Sequence, residues 1–178
     1  SYSMYYVPAL IQTESYAQEI IKGVAPKINS DIHQQRVEAR MRRQLLLEGE
    51  NRPRYRMLVD EAVLHRVVGG PSTMADQLEK ILERERSRKA TIQVVPFDAG
   101  AHASQDSTFV LLEFEDSNLP AVVYVEGLTT AQYFERRSDI DRYREAVDYL
   151  RDLALSLRDS LSLIAGLKKK YEQMGPAD

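Results

Sequence analysis

Arg54-Tyr55-Arg56-Met57-Leu58-Val59-Asp60, then Gly69-Gly70-Pro71, then Ile92-Gln93-Val94-Val95-Pro96 are the stretches that decide the fold. Tyr55, Met57 and Val59 alternate with Arg56 and Asp60, and Leu58 breaks the alternation. This spacing predicts a strand over 54–60, buried on part of both faces. Asp60 to Arg66 reads as a short helical turn. Gly69 and Gly70 interrupt the chain, and Pro71 suits the first turn of a new helix. Met74, Leu78, Ile81 and Leu82 give that helix, over 72–86, its apolar face, and Glu83-Arg84-Glu85-Arg86 is its solvated far end. Ile92 to Val95 is a second strand, stopped by Pro96. A β-α-β unit crosses over right-handed, which makes the two strands parallel.

Outward from this unit, Phe109 to Glu115 alternates, and Ala121 to Glu126 is the most apolar strand. The strands at 92–95, 109–115 and 121–126 are expected to form a meander, and Tyr133 and Phe134 to prolong the sheet briefly. Upstream, Thr13 caps a helix through Tyr16, Ala17, Ile20 and Ile21, with Glu14 where the helix dipole favours an anion. A second helix starts near Asn29 or Ser30 on a Val37, Met41, Leu45 stripe, with Arg36, Arg40, Arg42 and Arg43 on its other faces. Downstream, Ser138 with Asp141 and Ser156 with Asp159 have capping-box spacing. Two helices follow them, one on Ile140, Tyr143, Val147 and Leu150, the other on Leu161, Ile164, Leu167 and Tyr171. The fold class is therefore α+β. A mixed sheet of about four strands, β-α-β-β-β, is flanked by two N-terminal and two C-terminal helices. Residues 1–53 form a helical segment and 54–178 the α+β part, together one compact unit.

At 178 residues, with 43% hydrophobic and 29% charged residues, the chain has the make-up of one globular domain and not of a disordered chain. The longest apolar run, Ala121 to Val125, is far short of the roughly 18 residues a membrane span needs, so no membrane role is expected. There is no cysteine, which excludes disulfides, thiol catalysis and thiolate metal sites and fits a reducing cytoplasm. A formal charge of -3 with mixed signs gives no basic face for direct DNA binding.

Catalytic signatures are missing: no nucleophile elbow and no phosphate-binding loop. His33, His65 and His102 are far apart. Glu61 and His65, spaced i,i+4, share one face if 60–66 is helical; two ligand-type residues make a surface pair more readily than a metal site. No metal or cofactor is expected. The stretch Phe97-Asp98-Ala99-Gly100-Ala101-His102 is the most suggestive, because 97–106 is long for a β-β connection and carries a titratable group. Glu126 ends an apolar strand beside Gly127, where a carboxylate caps a helix or meets a ligand. The candidate partner- or ligand-binding residues are thus Glu61, His65, His102 and Glu126. Tyr5, Tyr6, Leu10 and Ile11, apolar and next to Pro8, are candidates for an interface, either in a homodimer or with a partner.

Four ordered blocks carry a family resemblance. They are Val7-Pro8-Ala9-Leu10-Ile11-Gln12-Thr13 with Tyr16-Ala17; Leu58 to Arg66 with Val68-Gly69-Gly70-Pro71; Ile92 to Phe97 with Ala99-Gly100-Ala101-His102; and Val123-Tyr124-Val125-Glu126-Gly127. The chain resembles, from about residue 6 to 165, the C-terminal domain of actinobacterial regulators that begin with an XRE-type helix-turn-helix. That family is also called Scr-type antitoxin-like and includes WhiJ-like proteins. Ala9 stands where the family usually has glycine. The resemblance implies a regulatory domain controlled by a small protein encoded next to the regulator, in a toxin–antitoxin-like arrangement. It implies no catalytic residue. DNA would be reached only through a helix-turn-helix, which is absent from these residues. The expected function is therefore a partner-binding regulatory domain. A small-molecule sensor in the same position is the alternative, and an enzyme with an unfamiliar site is a third.

Overall fold

The computed structural model describes residues 1–102, 104–105, 107–115, 118–127 and 129–175. Its elements run β1 (Tyr2–Ser3), α1 (Glu14–Val24), α2 (Ser30–Arg43), β2 (Arg56–Asp60), α3 (Glu61–His65), α4 (Gly70–Arg86) and β3 (Thr91–Val95). They continue as β4 (Phe109–Leu112), β5 (Val122–Glu126), β6 (Ala131–Phe134), α5 (Arg137–Leu153) and α6 (Leu157–Met174). The α+β class and the mixed sheet agree with the sequence reading. The sheet has six strands, not about four, in the order β3-β2-β1-β4-β5-β6.

The β2-α4-β3 unit is parallel as expected, with Leu58 opposite Gln93 and Asp60 opposite Val95. The meander is not where it was expected. β3 is the far edge of the sheet beside β2, and the antiparallel meander is β4-β5-β6. The reason is β1. Tyr2 and Ser3 pair parallel with Leu58 and Val59, and Tyr2 pairs antiparallel with Phe109, so two residues fill the slot between β2 and β4.

This corrects the premise about 97–106. The segment is no hairpin loop. It travels from β3 past β2 and β1 to reach β4, three strand spacings or about 14 Å, and that path accounts for its length. Ala103 and Asp106 lie outside the described residues.

Two apolar clusters hold the sheet. On one face Met57, Val59, Ile92 and Val94 pack with Met74, Leu78 and Ile81 of α4, and with Ile164, Leu167 and Tyr171 of α6. On the other, Tyr2, Leu58, Phe109 and Val123 pack with Ile140 and Leu150 of α5. Each such side chain, fully buried, contributes roughly 1.5–3 kcal/mol.

Local signals behave as chemistry requires in most places. Tyr16 N donates to Thr13 Oγ1 (3.2 Å) and Asp159 N to Ser156 Oγ (3.1 Å), both as helix caps. Ser138–Asp141 is not a capping box. α5 starts two residues earlier, at Arg137 with Arg136 in the cap position and no side-chain cap, and Asp141 pairs with Arg137 and Arg144 instead. Ala9 begins a single 3-10 turn without positive φ, so alanine fits where the family resemblance suggested glycine.

Candidate functional site

The carboxyl ends of the parallel strands β1, β2 and β3 lie at one edge of the sheet, and three of the four sequence-predicted residues gather there. Asp60 ends β2 and caps α3, its Oδ1 accepting from Ala62 N (2.8 Å). Glu61 opens α3: its Oε1 meets His65 Nε2 at 3.2 Å, and its Oε2 accepts from Phe97 N at 2.9 Å. The His65 and Phe97 rings lie 5.4 Å apart. His102 Nε2 lies 3.4 Å from Tyr2 Oη and 3.9 Å from Asp60 Oδ2, and the Tyr2 and His102 rings meet edge to face. Burial, then the Asp60 charge, raises the Tyr2 phenol well above its ordinary value.

The His102 side chain is only 2% exposed. The expectation that it offers a contact surface is corrected: it braces 97–102 against β1 and β2 as the chain crosses the strand ends. Among the described residues no group of three or more His, Cys, Asp or Glu side chains comes together.

Glu126 does not join this cluster. It ends β5 at the same edge, but on the sheet face opposite Tyr2, Phe109 and Val123. Its electrostatic neighbours are Tyr6, Arg40 and Tyr124. Around it lies the surface that the sequence reading missed.

Alternation along β4, β5 and β6 sends Phe109, Leu111, Val123, Val125 and Phe134 toward α5. It sends Val110, Leu112, Val122, Tyr124, Glu126 and Tyr133 to the other face. The half of that face formed by β1–β3 is sealed by α4 and α6, whereas among the described residues no helix packs extensively over the β4–β6 half. Leu112 and Tyr133 are exposed, and the Tyr124 and Tyr133 rings meet at 5.1 Å. β4–β6 thus carry an apolar, aromatic surface with one carboxylate, exposed at Leu112, Glu126 and Tyr133 and half-buried at Val110, Val122 and Tyr124.

Arginines flank it. Arg36, Arg40 and Arg43, at i, i+4 and i+7, share one face of α2. Arg40 is half-buried, and its Nη1 donates to Gln12 Oε1 (2.9 Å). Burial lowers its guanidinium from the ordinary value. Tyr6 and Glu126 push back up, and Arg43 and Arg36 push further down. Burial chiefly raises Tyr6 and Tyr124, Glu126 adding to both, with Arg40 opposing at Tyr6 and Arg43 at Tyr124. Among the described residues Arg36, Arg42 and Arg43 form no ion pair. Beyond Arg43 a depression of about 460 Å³ is lined by Ala39, Arg42, Leu45 and Leu46, both leucines largely exposed.

The interface candidates divide here. Tyr5 is exposed, while Tyr6 and Leu10 are half-buried against the core. Ile11 is completely buried within the chain and is corrected as a surface residue.

What holds this side in place is a polar clamp on Val7–Thr13. Gln77 Nε2 donates to Ile11 O (2.9 Å), and its Oε1 accepts from Thr13 N (2.8 Å). Gln44 Nε2 donates to Ala9 O and Gln12 O, and Gln12 Nε2 to Val7 O. Lys80 Nζ bridges Gln12 O and Gln44 Oε1 at 2.7 and 2.8 Å. Gln12, Gln44 and Gln77 are all buried. Of the three only Gln77 carries a sequence signal, a glutamine at a helix position that the period turns inward; Gln12 precedes α1 and Gln44 follows α2.

Fold and surface together define an α+β domain whose sheet is sealed over one half and open, aromatic and arginine-flanked over the other. A family described as a domain of unknown function (DUF5753) matches residues 1–166, and the chain belongs to that family. No curated protein and no solved structure matches it. Among the described residues no helix is long and apolar enough to cross a membrane.

Proposed function

We propose that the chain is the partner-binding regulatory domain of an XRE-type, antitoxin-like transcriptional regulator, and that a small protein encoded beside the regulator docks on the open half of the sheet. The observation that carries this reading is the unsealed β4–β6 face. Val110, Leu112, Val122, Tyr124 and Tyr133 form a continuous apolar and aromatic area of the kind that marks an interaction site. Unpaired arginines beside tyrosines are the side chains that dominate protein interfaces. Operator contact is assigned to a helix-turn-helix outside these residues, in keeping with the net charge of -3. The family resemblance supports the regulatory setting, and no catalytic step is part of the proposal.

Co-expression of the tagged chain with the adjacent small protein tests it. A stoichiometric complex is expected on gel filtration, lost on Tyr133→Glu while the melting temperature is unchanged. Failure of the pair to co-purify refutes the reading. A stoichiometric small molecule released from the purified chain would put the sensor reading in its place.

A further inference from the structure

The two edges of the sheet are treated differently. At the β3 edge Leu155 N donates to Val94 O (2.8 Å), Val94 N to Ser160 Oγ (3.0 Å) and Gln93 Nε2 to Leu155 O (3.1 Å), so the start of α6 stoppers that edge. At the other edge β6 runs Ala131-Gln132-Tyr133-Phe134, with neither proline nor lysine to blunt it, and its first three residues are exposed. The bond from Gly127 N to Thr130 O sets the phase of the β5–β6 hairpin. Gln132 and Phe134, opposite Val125 and Val123, turn their backbone groups to β5, and Ala131 and Tyr133 turn theirs outward. An edge of this kind is a template for one more strand.

Charge selects the strand. The Tyr133 ring meets Tyr124 at 5.1 Å, and Arg43 lies within electrostatic reach of Tyr124, so the open edge and the α2 arginine face, where Arg36 and Arg43 form no ion pair and Arg40 holds Gln12, share one side of the sheet. Resting on the reading of β4–β6 as a docking surface, we infer that the occupant is an extended, acidic segment of a protein partner. It adds antiparallel or parallel to β6 and sets carboxylates against the α2 arginines. A second copy of the chain fits less well, because a two-fold joining two β6 edges brings a second arginine face to the same side of the sheet. A nucleic acid fits less well too, because it has no strand N–H and C=O groups to pair with the outward backbone groups of Ala131 and Tyr133.

The test uses the 15N-labelled chain and three probes: a nine-residue peptide alternating Asp with Val and Thr, the same peptide with Lys for Asp, and a 15-nucleotide oligo-dT. The Asp peptide should shift amides of β5, β6 and the end of α2, slow exchange at Ala131 and Tyr133, and weaken as salt rises. It should bind at least about tenfold tighter than the Lys peptide, and Ala131→Pro and Arg43→Glu should each loosen it at least about tenfold. Ala131→Pro removes an outward N–H only; should that variant fold poorly, Arg43→Glu still decides. Equal binding of the two peptides, shifts away from β6, tighter binding of oligo-dT at these arginines, or dimerisation through β6 would each overturn the inference. Because the probe is a synthetic peptide, its failure leaves co-purification of the natural partner as a separate result.

Discussion

Replacing Gln77 by Met removes the centre of the clamp while keeping chain length and nearly the same volume. Gln77 is fully buried on α4, and its amide holds both Ile11 O and Thr13 N. With methionine there, the Ile11 carbonyl is left buried without a donor, at a cost of about 1–3 kcal/mol. Thr13 N is nearer solvent and adds about 1 kcal/mol, from the lower end of the same range. Gln77→Met should therefore lose about 2–4 kcal/mol of unfolding free energy. In urea, with a slope of about 2 kcal/mol/M, that moves the midpoint down by about 1–2 M at unchanged slope. Equilibrium unfolding followed by circular dichroism measures it. Gln77→Glu, which keeps the acceptor for Thr13 N but lacks the donor, should also be destabilised. A loss below about 0.5 kcal/mol for the Met variant, the range of ordinary surface changes, would refute the clamp as a source of stability.

Two further outcomes follow from local chemistry. Arg84 and Lys89 hydrogen-bond the Glu48 carboxylate and hold its pKa down from 4.5 to about 2, so its contribution to stability is present above the ordinary value and lost as pH falls through that window. Stability of the wild type should fall more steeply than that of Glu48→Gln between those pH values, and parallel curves would contradict this. Gly69 has φ +69, and a Cβ there would lie 3.0 Å from Thr73 side-chain atoms and from Glu19 Cγ. Gly69→Ala should therefore cost about 1–2 kcal/mol from the left-handed backbone alone, read as a lowered melting temperature.

The β2-α4-β3 unit was legible because each of its signals is local: alternation, a Gly-Gly-Pro break, then a 3.6-residue period ending at another alternating run. β1 was not. Tyr2–Ser3 is too short for any periodicity, and it is a strand only because β2 and β4 each offer it an edge. Missing it misplaced β3, merged two separate strand runs into one meander, and made the crossing segment 97–106 look like an overlong hairpin loop that needed a function. The start of α5 misled for a different reason. Ser138 and Asp141 have the spacing of a cap, but the helix already includes Ser138, so the motif falls inside it.

The site divides along the same line. Glu61, His65 and His102 were chosen as chemistry-bearing residues near strand ends, and they do share an edge. There Glu61 holds His65 and the Phe97 N–H, and His102 meets Tyr2 and Asp60, as residues do when they position a chain crossing. The open face was invisible because its residues look like core strand residues; they are surface because, among the described residues, no helix packs extensively over β4–β6. The motif Val7–Thr13 links the two sides. Buried glutamines grip its backbone, which is reason enough for that stretch to be a fold determinant. Yet Gln12, held in that grip, also accepts from Arg40 Nη1, and Tyr6 just upstream shares the electrostatic field of Arg40 and Glu126. Loosening the clamp should therefore disturb the arginine face as well as the core, so the opening motif serves stability and surface through the same hydrogen bonds.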